Sequence, residues 1–102
     1  AMTYQCTLTA LADPTRRSVF EHVANYPGPV GELAERLPVS RSAVSQHLKV
    51  LLDAGLVQHE TKGTRRIYAI RREGISDLRD YLDQFWDVIL DNFADEANRK
   101  ED

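Results

Sequence analysis

Residues 39–57, VSRSAVSQHLKVLLDAGLV, constrain this chain more than any other segment. Val44, Leu48 and Leu51 recur at the spacing of one helical face. Ser40 is a good N-cap, Val39 and Val44 stand at the two positions of a hydrophobic staple, and Gly55 is the expected C-terminal stop. With Val44 at the centre of the buried face and about 3.6 residues per turn, Ser42, Ser45, Gln46 and Lys49 fall on the outer side. Asp53 lies at the far end of that side, Arg41 lies in the first turn, and no acid precedes Asp53 in the segment. Surface helices usually mix glutamate with lysine; a face of short donors and bases instead suits a polyanion. In a duplex major groove roughly 12 Å wide, glutamine can pair bidentately with adenine, serine can bond several bases, and arginine or lysine can meet guanine or phosphate.

The flanking sequence predicts a mainly α fold with one small β-hairpin. Asp13-Pro14 marks a helix start, followed by Val19, Phe20, Val23 and Tyr26 at helical spacing and stopped by Pro27-Gly28-Pro29. Gly31 to Leu37 reads as a short helix with Leu33, Ala34 and Leu37 on one face, ended by Pro38. Residues 4–12 read as a further short helix. After Gly55, Val57 to Thr61 and Arg66 to Ile70 read as strands joined by Lys62-Gly63-Thr64-Arg65. From about Ile75 a long helix runs toward residue 97. Its apolar stripe is Ile75, Leu78, Leu82, Phe85, Ile89 and Phe93, widened by Tyr81, Trp86 and Leu90. The order α-α-α-α-β-β-α is that of a winged helix-turn-helix. We expect one domain over 1–102, with the helix-turn-helix at about 30–54, the wing at about 57–70 and a long C-terminal helix at about 75–97.

Net charge is −3, but the charges are segregated. Residues 36–72 hold eight bases and two acids, whereas residues 73–102 hold three bases and ten acids. A basic centre beside an acidic tail is what a local polyanion site looks like. The only cysteine is Cys6, which excludes an internal disulfide and a cysteine-rich zinc site, and fits a reducing cytoplasm. No apolar run approaches the roughly 20 residues of a membrane span, and no secretory signal is expected. No cluster of nucleophile, base and oxyanion donors suggests an enzyme.

Three stretches, LADPTRRSVFEHV, ELAERLPVSRSAVSQHLKVLLDAGLV and GTRRIYAI, resemble the ArsR-type winged helix-turn-helix repressors across residues 8 to 72. The resemblance implies a homodimer that binds a palindromic operator near its own promoter and is released by an effector. It implies a reading helix from Ser40 to Ala54, with Arg41, Ser42, Ser45, Gln46, His47 and Lys49 as DNA-contacting positions. It implies a wing from Lys62 to Arg66, where Lys62, Arg65 and Arg66 reach the backbone or an adjacent minor groove. Family dimers pair through their first and last helices, which here assigns the interface to Leu78, Leu82, Phe85, Trp86, Ile89 and Phe93. Many relatives bind metals through a Cys-x-Cys pair on the helix before the reader, or through His and acidic ligands on the last helix. This chain has VGELAERL in the first place and aspartates without histidine in the second. We therefore expect no metal and no cofactor, as in the metal-independent autorepressors of the family.

Other readings stay open at this level. The stripe of residues 75–93 could close the protomer's own core. The polar face of the fourth helix could dock an acidic protein rather than DNA. A small-molecule effector could sit between the terminal helices. His47 could contact phosphate or pack beside the wing. Arg16 and Arg17 are expected to pair with acids of the last helix, and His22 and His59 to be surface or satisfied core residues.

Overall fold

The computed structural model describes residues 4–101 in backbone and residues 6–97 in side chains. Five helices and one hairpin follow in order: α1 (Tyr4–Ala12), α2 (Pro14–Asn25), α3 (Val30–Glu35), α4 (Arg41–Asp53), β1 (Val57–Lys62), β2 (Arg65–Ile70) and α5 (Arg72–Glu101). The expected order of elements is thus present, with four local differences. The α3 helix stops at Glu35, two residues before Leu37, in a bend that leads to Pro38. Each strand is one residue longer at the turn, so only Gly63 and Thr64 remain between Lys62 and Arg65, which pair. Gly63 takes φ 64°, which supplies the positive φ that a two-residue hairpin loop needs. The last helix begins at Arg72 rather than Ile75 and continues to Glu101. Tyr26, which continues the helical spacing of Val19 and Val23, lies past the end of α2 and is 55% exposed, with the Arg36 guanidinium 4.8 Å from its ring centre.

The core gathers Ala10, Val19, Val23, Leu33, Val44, Leu48, Leu51, Ala54, Leu56 and Val57. Each of α1 to α4 contributes one apolar row to it, which is why none of these short helices needs to be stable alone. The α2 start is set by Asp13, whose Oδ1 accepts from the Thr15 and Arg16 amides at 2.9 and 3.1 Å. Arg16 then turns back. Its Nε donates to the Ala10 carbonyl at 2.8 Å, and Arg17 Nη1 donates to the Leu11 carbonyl at 3.0 Å. These carbonyls are the orphan acceptors at the negative end of α1, so both arginines close that helix and fix its angle to α2. Arg16 also lies 3.8 Å from Asp13 Oδ2. This corrects the expected pairing of Arg16 and Arg17 with the last helix: the nearer acceptors are local.

At the other end of α4, Leu56 N–H donates to the Leu51 carbonyl and Gly55 N–H to the Leu52 carbonyl, both at 3.0 Å. With Gly55 at φ 76°, this is a Schellman cap, and its two apolar partners, Leu51 and Leu56, are both fully buried. The chain leaves the cap into β1, returns on β2, and is tied back by Arg71 N–H to the Leu56 carbonyl at 3.0 Å. The base of α5 therefore lies on the cap. A Cβ built on Gly74 would run into the Gly55 carbonyl oxygen and stand 2.9 Å from its carbon, so this crossing demands glycine for space.

Beyond its first turns α5 leaves the body, its main contact being with α1. The radius of gyration is 18.2 Å, against about 13 Å for a compact chain of this length.

Two outcomes are expected from this architecture. Replacing Gly74 by alanine puts a methyl into fixed backbone, and should cost roughly 1–3 kcal/mol, read as a lower melting temperature in calorimetry. The Arg16 amide holds the Asp13 carboxyl below its ordinary value of 3.8; desolvation opposes it, and the Thr15 amide and the Arg16 and His47 charges add lesser lowering effects. A depressed native pKa means stability that is present above the ordinary value and lost as pH falls through the native one. The melting-temperature gap between wild type and Asp13→Asn should accordingly narrow below pH 3.8.

Candidate nucleic-acid interface

Burial of Val44, Leu48 and Leu51 to 0% exposure fixes the rotation of α4 about its axis. The opposite face must then be the one presented. Arg41, Ser42, Ser45, Gln46 and Lys49 are all exposed, as the helical spacing requires. Ser40 caps the helix, its Oγ accepting from the Ala43 amide at 3.1 Å. No acid lies in the first turn, so the positive end of the helix dipole is not neutralised locally.

The hairpin stands beside this face. Tyr68 on β2 exchanges two backbone hydrogen bonds with Gly28, at 3.1 and 2.9 Å, which pins the strand to the α2–α3 loop. His59 pairs across the sheet with Tyr68, and its ring meets the tyrosine edge-on with centroids 5.4 Å apart. The pinned hairpin projects Lys62, Arg65 and Arg66, all exposed. Between hairpin and helices runs an open cleft of about 450 Å³, lined on one side by Arg41 and Ser45 and on the other by Thr64, Arg65 and Arg66.

The nine candidate residues do not converge on one point. Arg41, Ser45, Arg65 and Arg66 meet at the cleft. Ser42, Gln46 and Lys49 occupy the outer α4 surface, and Lys62 lies at the hairpin turn. His47 takes the opposite flank from Arg41. It is half-buried, and its charge acts on the Asp13 carboxyl, which favours the ionised form. The cleft also holds two acids that the sequence reading passed over, Glu32 and Glu35 on α3. Arg65 Nη1 lies 3.6 Å from Glu32 Oε1. Their spacing of three on a short helix was visible in the sequence, but the partner across the hairpin was not.

Elsewhere, His22 is half-buried beside Tyr26, and its Nε2 is buried with no hydrogen-bond partner among the described residues, in contrast to the satisfied or surface role expected. No helix among the described residues is long and apolar enough to cross a membrane.

On α5 the stripe is open. Leu82, Phe85, Trp86, Ile89, Leu90 and Phe93 are exposed, from 47% at Leu82 to 72% at Phe93, while Leu78 is half-buried. Ile75, at the start of the stripe, packs against the protomer's own core, but from Leu82 onward the stripe does not close it.

Comparison with known proteins agrees with this geometry. A helix-turn-helix domain profile matches residues 11–60. The chain is similar to the HTH-type transcriptional regulator Rv2034 of Mycobacterium tuberculosis, with 54% identity over 85 residues, 83% of this chain and 79% of that protein. It is similar to the arsenical resistance operon repressor of Bacillus subtilis, with 38% identity over 74% of this chain and 72% of that protein. Among solved structures, an ArsR-like transcriptional regulator from Rhodococcus sp. RHA1 superposes with a TM-score of 0.77 at 28% identity, covering 88% of each chain.

Proposed function

The chain belongs to the ArsR-type winged helix-turn-helix transcriptional regulators, DNA-binding proteins and not enzymes, and from that premise we propose that it is a homodimeric repressor of a palindromic operator. The observation that carries the reading is the pairing of two surfaces on one rigid body. A donor-rich face of α4 is aimed outward by a fully buried opposite face, and arginines of a pinned hairpin stand beside it.

In this reading Gln46, Ser42 and Ser45 meet base edges, Lys49 and Arg41 meet phosphate or guanine, His47 meets a flanking phosphate, and Lys62, Arg65 and Arg66 follow the backbone beside the groove. A winged helix alone makes few base contacts. A second copy related by a twofold axis places two α4 helices in successive major grooves, about 34 Å apart. The exposed stripe supports such a pairing. A face carrying Leu82, Phe85, Trp86, Ile89 and Phe93 at roughly half exposure or more is far more apolar than a solvated helix carries without a partner. The interface is assigned to Leu78, Leu82, Phe85, Trp86, Ile89 and Phe93, and residues 1–102 act as one unit. Regulation in this reading needs no metal, since α3, VGELAE, carries no cysteine to act as a soft ligand.

Purified protein incubated with sheared genomic DNA should retain fragments bearing an inverted repeat. An intact dimer that retains none at low salt would instead point to the protein-docking reading of the same face.

Two substitutions test the assignments. Gln46→Ala with Lys49→Ala should weaken operator binding by about 1–3 kcal/mol for the lost base contact and lower the salt slope by about 1, in fluorescence anisotropy across a salt series. Phe85→Asp with Ile89→Asp should give a monomer in analytical ultracentrifugation and lose about 10²-fold in operator affinity through lost bivalence.

A further inference from the structure

An acid inside a DNA-facing cleft calls for a reason. Glu32 opens α3, where a carboxylate is favoured by the helix dipole, yet its side chain is committed elsewhere. Its Oε1 lies 3.6 Å from Arg65 Nη1, and its Oε2 lies 3.2 Å from where a Cβ on Gly28 would stand. The missing side chain at Gly28 thus leaves the place where the carboxylate rests. Gly28 is the residue that anchors Tyr68, so the same short loop holds the hairpin and seats the acid that faces its arginine. Both partners are well exposed, at 66% for Arg65 and 60% for Glu32. An ion pair so open to water contributes little to folding and breaks readily. Its position matters more: it occupies the guanidinium that would otherwise face a phosphate.

We infer that Glu32 is a built-in competitor for the wing arginine, holding Arg65 in the free protein so that duplex binding must exchange the carboxylate for a phosphate. This rests on the DNA-binding reading above and adds to it a residue that sets affinity from outside the basic set. Phosphate contacts are independent of sequence, so the competition acts on every duplex, and it restrains general binding in a chain whose specific contacts lie on α4. Glu35 supplies the internal comparison. It lines the same cleft with the same charge but makes no ion pair among the described residues.

The test is a double-mutant cycle read by anisotropy of a fluorescent duplex of generic sequence at low salt, with circular dichroism and melting curves confirming the fold of each variant. Glu32→Gln should tighten binding by about two- to fivefold, the range expected for an exposed pair. Arg65→Gln should weaken it, and adding Glu32→Gln to Arg65→Gln should then change little. Glu35→Gln should give a smaller effect that is the same with either residue at position 65. The inference is overturned if Glu32→Gln leaves affinity unchanged or weakens it. It is equally overturned if the gain is the same in the Arg65→Gln background, for Glu32 would then act as a bare charge. Wild-type protein that binds no duplex at all overturns the DNA reading and this inference together, and that result is visible before any variant is made.

Discussion

The seating of α4 is the constraint on which the rest of the molecule depends. Val44, Leu48 and Leu51 occupy one row of that helix, and each is sealed from solvent by rows from α1, α2 and α3. A helix with a fully buried row cannot rotate without dragging polar groups into the core, at a cost of several kcal/mol for each unsatisfied group. The outward direction of Ser42, Gln46 and Lys49 is therefore a consequence of packing rather than a property of those residues. The ends are fixed as firmly as the rotation, by Ser40 at the start and by the Gly55 cap at the finish. The cap also launches β1 and receives the base of α5 at Gly74. One short region thus joins the presented helix, the hairpin and the C-terminal helix.

That junction gives the length of α5 a physical meaning. Thirty residues at about 1.5 Å each make a rod of roughly 45 Å, more than the body beneath it can cover. Only the first turns, with Leu78 and Tyr81, gain shelter, and from Leu82 onward the apolar row is exposed. The opposite row carries Asp80, Asp83, Asp87 and Asp91, all exposed. An amphipathic rod of this kind is stable in water once its apolar row meets another apolar row, and in the proposed dimer a twofold-related copy would supply one of the same length.

Much of this was legible in the sequence, and the reasons differ by element. The ends of α2 and α4 and the place of the hairpin turn are readable because Asp13, Ser40, Gly55 and Gly63 act locally, through a cap or a positive φ that involves only their own neighbours. The outer face of α4 was readable because helical periodicity is a local rule. What was missed depends on distance in sequence. Arg16 and Arg17 were assigned to acids on α5, but the free carbonyls of α1 were nearer and already oriented. Tyr26 continues the helical spacing of Val19 and Val23, but the helix ends at Asn25 and the buried row ends with it. The Glu32–Arg65 pair joins residues more than thirty apart through a hairpin whose tilt no pattern of residues encodes.

The charge distribution resolves an apparent contradiction. A chain with net charge −3 is a poor candidate for a polyanion ligand if its charge is treated as a single point. At physiological salt, fields between exposed charges fade over about 8 Å, while this molecule is 68 Å long. Asp83 lies about eleven residues beyond the start of α5, or roughly 16 Å along its axis, and the later acids lie farther still. A duplex approaching α4 and the hairpin is thus screened from the distal acidic row and meets Arg41, Lys49, Lys62, Arg65 and Arg66 instead. Within that screened neighbourhood the nearby acids matter most, and these are Asp53 at the far end of the outer α4 side and the α3 carboxylates in the cleft.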